Sequence, residues 1–170
     1  MLDAFYGAFS PACFALLGLW LVVVQLRLPQ WQASGPYRRG AYGVALHFAL
    51  PGVMSMFALI DSQDPAYWRV SFAIVALGGA VVMTLVRGYI VRPAPSARDQ
   101  LGLAAYVLAV ALYLVIGVLA VIGGIAVLRT EASLQIILVF LGFNAAWLLL
   151  FDDKSAAPDP APVPPETETG

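Results

Sequence analysis

Charge is what this chain has least of. Its 170 residues include 9 Lys and Arg and 10 Asp and Glu, together 11%, where an ordinary soluble domain carries roughly a quarter. A net charge of −1 gives no long-range pull toward nucleic acid. The single cysteine, Cys13, excludes an intrachain disulfide and the usual cysteine metal spacings. The single histidine, His47, leaves too few ligands for structural zinc or a bis-histidine haem. No phosphate-cradling glycine loop is present, because Gly78–Gly79 and Gly123–Gly124 lie in apolar sequence without a following lysine. No apolar stretch pairs a nucleophile with a base, or two acids with each other. The sequence therefore predicts no enzyme, no cofactor and no metal.

What is present is hydrophobic length. Hydrophobic residues make up 61% of the chain, gathered in five stretches: Ala4–Leu26, Gly40–Ile60, Val70–Val91, Leu101–Leu128 and Ala132–Phe151. Each reaches the roughly 20 residues that a helix needs to cross the hydrocarbon core, where lipid offers no partner to an unpaired backbone group. The expected fold is an all-α integral membrane protein, a bundle of five transmembrane helices over residues 1–151. The first stretch lacks a positive leader and carries Asp3, so it reads as a retained span and not as a cleaved signal. Residues 152–170, with Pro158, Pro160, Pro162, Pro164 and Pro165 among small and acidic residues, read as a disordered tail.

The basic residues fix an orientation. Arg27, Arg38, Arg39, Arg87, Arg92, Arg98 and Lys154 fall on one side of the five spans, and only Arg69 and Arg129 fall on the other. Positive residues stay in the cytoplasm, so the N-terminus is expected outside and the C-terminus inside. Eight arginines to one lysine in an alanine-rich chain suggest a bacterial-type cytoplasmic membrane, crossed several times. Trp31, Tyr37, Tyr67 and Trp68 are expected at the headgroup layer. Arg129, Thr130 and Glu131 are taken as the short turn between spans four and five. On those bounds span four would be about 42 Å long and the longest of the five.

At 100° per residue every span has a small or polar face, and close backbone approach is how helices associate in lipid. The expected packing positions are Gly7, Pro11 and Gly18 on the first span and Gly43 on the second. They continue with Ala80 on the third, Gly117, Ala120 and Gly124 on the fourth, and Gly142 on the fifth. The candidate polar site within the membrane is His47, Pro51, Ser55 and Asn144. Pro51 has no N–H to return to the carbonyl of His47, four residues earlier, so this residue combines an imidazole with a freed backbone oxygen. The competing expectation is a histidine hydrogen-bonded across a helix seam. Asn144, opposite the Gln135 stripe, calls for a partner, which points to a neighbouring subunit. The leading functional expectation is a protein acting through helix association, as an oligomer or as an accessory subunit of a membrane complex. The alternative is a small channel or transporter with His47 and Pro51 lining a path for protons or small solutes. The expected partners are the lipid bilayer and either a second copy or another membrane subunit.

Overall fold

A computed structural model describes residues 2–32, 35–60, 64–87, 97–123 and 127–151. The described residues form five helices, α1 (Leu2–Gln32), α2 (Gly35–Ile60), α3 (Pro65–Arg87), α4 (Ala97–Ile122) and α5 (Val127–Leu150). All five are long and apolar enough to cross a membrane. The residues expected to form the tail lie outside the described ones, as do Gly124, Arg92 and the side chain of Arg87.

Neighbouring helices run antiparallel. Ser10 and Trp20 of α1 reach Gly52 and Ala41 of α2, and Arg69 of α3 reaches Ala120 of α4. Along the α2–α5 seam, Ser55 meets Gln135, His47 meets Gly142, and Gly40 meets Leu149. Helix α2 is the hub, packed on α1, α3 and α5, while α4 closes the bundle against α3 and α5. One end of the bundle gathers the starts of α1, α3 and α5. The core is aromatic and aliphatic, with Tyr6, Trp68, Phe72, Tyr113, Ile116 and Leu138 all fully enclosed.

The outer surface is the reverse of a soluble protein's. Leu19, Leu26, Ile74, Leu85, Ile122 and Phe140 are each more than 60% exposed, and large apolar side chains face outward on all five helices. Water would penalise such a continuous apolar surface, whereas lipid does not.

Two boundaries differ from the sequence expectation. Helix α4 ends at Ile122 and α5 begins at Val127, so Arg129, Thr130 and Glu131 belong to the first turns of α5 and do not form the turn. The break falls at glycine instead. A Cβ on Gly123 would collide with Val127 and come within 2.6 Å of the Leu119 carbonyl oxygen, so a larger residue there would force its neighbours to shift. Helix α1, at 31 residues, is longer than α4, at 26, because it continues through Arg27 and Pro29. Trp31 and Trp68 each lie within about a turn of a helix end. Both are buried in the bundle, at 4% and 0% exposure, with Trp31 stacked on Tyr37. The start of α3 follows ordinary capping. Asp64 accepts the Ala66 N–H at 2.8 Å, and Pro65 opens the helix at the position whose N–H is dispensable.

Candidate functional site

Helix α5 turns Leu128, Glu131, Gln135, Leu138, Gly142 and Ala146 inward, a spacing of three and four that keeps one face against the bundle. The start of this face holds polar groups that the core must accommodate. Glu131 is fully enclosed, and neither carboxylate oxygen has a hydrogen-bond partner among the described residues. One turn on, Gln135 is also fully enclosed. Its Oε1 accepts from the Ser55 hydroxyl at 3.2 Å, while its Nε2 has no partner. That hydroxyl also lies 2.8 Å from the Pro51 carbonyl, and its single proton cannot serve both acceptors fully. Turning the amide over would let Ser55 accept an N–H, so one end of Gln135 lacks a partner in either orientation.

Two further helices close the cluster. Tyr6 of α1 donates its hydroxyl to the Leu128 carbonyl at 3.1 Å, one turn from Glu131. The ring of Tyr6 meets Phe72 edge-on at 6.4 Å, and Phe72 meets Trp68 in the same way at 5.8 Å. Trp68 is fully enclosed, yet its indole N–H has no acceptor. Arg69, the next residue, is turned away and caps α4 through the carbonyls of Ala120, at 2.9 Å, and Val121. An enclosed ionised carboxylate without a partner costs several kcal/mol, and each unpaired N–H about 1–3 kcal/mol. Sites that carry such costs are held together for a reason other than stability alone.

The residues expected from sequence divide between this cluster and other places. Pro51 and Ser55 are buried on α2, where Ser55 joins the cluster. His47 lies two turns away. It is 7% exposed, with Nδ1 2.8 Å from the Gly43 carbonyl, so that nitrogen carries the proton and donates it. Its Cβ rests on Gly142 of α5, so the ring packs at the α2–α5 seam, but its hydrogen bond stays within α2 and does not cross to another helix. Asn144 is exposed and donates Nδ2 to Phe140 of its own helix at 2.8 Å, so the four residues do not form one site. Glu131, Gln135, Trp68 and Tyr6 take the place that the sequence assigned to His47.

The packing positions also divide. Gly117 lies against Leu77 and Ala76, and Gly142 against His47 and Phe48; Ala80 and Ala120 are buried, and Gly43 is half-buried. The expected seam of α1 is corrected. Gly7, Pro11, Ala15 and Gly18 all face outward, and a Cβ on Gly7 or Gly18 would meet nothing within 4 Å. The inward face carries Tyr6, Ser10, Cys13 and Trp20. Their donors need carbonyls that lipid lacks, and they find them at Leu128, at Gly52 (3.2 Å) and at Ala41 (2.9 Å). The small residue at the α1–α2 crossing comes from α2, where a Cβ on Gly52 would lie 3.1 Å from that of Cys13.

No protein-family model, curated protein or solved structure matches the chain.

Proposed function

We propose that this chain is a multi-pass protein of the cytoplasmic membrane that acts without catalysis by associating within the bilayer. It does so as a self-oligomer or as an accessory subunit, with its N-terminus outside and its C-terminus in the cytoplasm. The observation that carries this proposal is the outward face of α1. From Gly7 to Gly18, about 16 Å of helix presents glycine, proline and alanine to the surroundings. Inside the bundle, Gly52, Gly117 and Gly142 sit at tight crossings. The α1 face has the same composition but no partner helix among the described residues. In lipid, such faces are where backbones approach most closely.

Asn144 adds a second outward feature, an amide on the exposed face shared with Phe140, Phe143 and Trp147. A polar group at that depth gains from a partner helix. The orientation is supported by Arg27, Arg38 and Arg39, which gather at the end of the bundle opposite Arg69 and Arg129. A conduit through His47 draws less support, since the ring is packed on Gly142 with Nδ1 committed to Gly43.

Single cysteines introduced into a Cys13→Ala chain test both parts in native membranes. Under mild oxidation, Gly7→Cys, Ala15→Cys and Gly18→Cys should form disulfide-linked dimers, or adducts with a second membrane protein if the chain is an accessory subunit. Ile74→Cys and Val81→Cys, exposed on α3, should not. In the same set, a membrane-impermeant maleimide added to intact cells should label Asp64→Cys and spare Arg38→Cys. Equal cross-linking from α1 and α3 would defeat the association, and the opposite labelling would reverse the orientation.

A further inference from the structure

The cluster at the start of α5 contains more chemistry than association requires. Glu131 contributes two oxygens without a donor, and Trp68 and Gln135 each contribute an N–H without an acceptor. All three side chains are fully enclosed. Among the described residues, the ionisable groups packed around them do not neutralise the carboxylate. From α1 comes Tyr6, whose hydroxyl is given to Leu128. From α2 comes the uncharged Ser55, with His47 two turns further on and bonded within its own helix. Arg69 of α3 is spent on the end of α4, and the buried Tyr113 of α4 donates to the Leu46 carbonyl at 3.4 Å. On α5 itself, Arg129 is exposed.

We propose that Glu131 is an exchangeable binding site for one monovalent cation, a proton or an alkali-metal ion, that neutralises the carboxylate inside the bundle. One carboxylate calls for one positive charge, and a divalent ion would leave an excess charge in an apolar core. A proton needs only the carboxyl group. An alkali ion would also use the oxygens of Gln135, one turn along α5, and of Ser55 on α2, which lie 3.2 Å apart. When the cation leaves, Gln135, one turn further along α5, offers the remaining carboxylate an N–H that has no other acceptor. Glu131 lies about 6 Å along α5 from its start, so exchange takes place with the side on which α1, α3 and α5 begin.

The test uses the full chain in lipid nanodiscs with dicyclohexylcarbodiimide, an apolar reagent that modifies protonated carboxyl groups, read at residue 131 by peptide mass spectrometry. Modification of Glu131 should fall about tenfold per pH unit on the alkaline side. If alkali ions share the site, sodium chloride at constant pH should slow it further, while choline chloride should not. Either pattern supports the site and identifies which cation it holds. Infrared difference spectra between acid and alkaline buffers, with and without sodium, provide a readout that does not depend on reagent access. The carbonyl band of a protonated carboxyl should change in the wild type and be missing from Glu131→Gln. A wild-type spectrum at that band identical to that of Glu131→Gln, or insensitive to both pH and sodium, would overturn the proposal.

Discussion

Gly142→Leu is expected to unseat α2 from α5 and to destabilise the bundle by at least about 3 kcal/mol, the upper end of ordinary overpacking. A Cβ at position 142 would collide with the Cβ of His47 and lie 3.2 Å from its Cγ and 3.3 Å from Phe48 Cε1. The colliding atom is fixed to the backbone, so a rotamer change cannot relieve the clash. Gly142 also sits midway along the seam, between the Ser55–Gln135 bond at 3.2 Å and the contact of Gly40 with Leu149 at 3.1 Å. Separating the helices there would disturb both. Gly78→Leu is the control, because a Cβ on Gly78 meets nothing within 4 Å, and leucine favours the helix by roughly 0.5–1 kcal/mol. Thermal unfolding in detergent micelles should show a large loss for the first variant and little or none for the second. Equal losses would mean that Gly142 is not a contact point.

Trp68→Ala is expected to cost about 3–5 kcal/mol, the range for emptying an enclosed aromatic site. The indole is fully buried and holds the edge of Phe72, which in turn holds the edge of Tyr6. Its removal should loosen α1 and α3 together. Trp68→Phe separates the ring from its N–H. It keeps most of the packing and deletes a donor that has no acceptor, which relieves about 1–3 kcal/mol of desolvation cost. Unfolding measurements should therefore place Trp68→Phe much closer to wild type than Trp68→Ala. If the two lose stability equally, the N–H has a partner after all.

Hydropathy made the five helices legible because membrane-crossing length and apolar composition are properties of the chain itself. Faces were harder to read. On α2 the stripe from His47 to Ser55 points inward as periodicity suggests. On α1 the small stripe faces away from the bundle, because smallness is a signal both for internal seams and for contacts with another chain. The better signal there was hydrogen-bond demand: Tyr6, Ser10 and Trp20 carry donors that only other helices can satisfy.

Glu131 was hidden by its neighbours. Arg129, Thr130 and Glu131 look like a solvated turn, and the two glycines just upstream look like apolar helix, so the break was assigned six residues late. Extending the stripe of Gln135, Gly142 and Ala146 back by one turn lands on Glu131, and that periodicity was available in the sequence. What no single sequence contains is whether the carboxylate finds a partner. That depends on which side chains of α1, α3 and α4 face it, a matter of tertiary geometry.

The mass of the assembly extracted from membranes in mild detergent tests the central claim most directly. The wild type should run as a complex larger than the 18.1 kDa chain, either a multiple of it or a complex with another membrane subunit. Gly7→Leu combined with Gly18→Leu should reduce it to a single chain with unchanged unfolding, since neither position touches its own bundle. A wild type that runs as one chain, or a double variant that keeps the wild-type mass, would contradict association through α1.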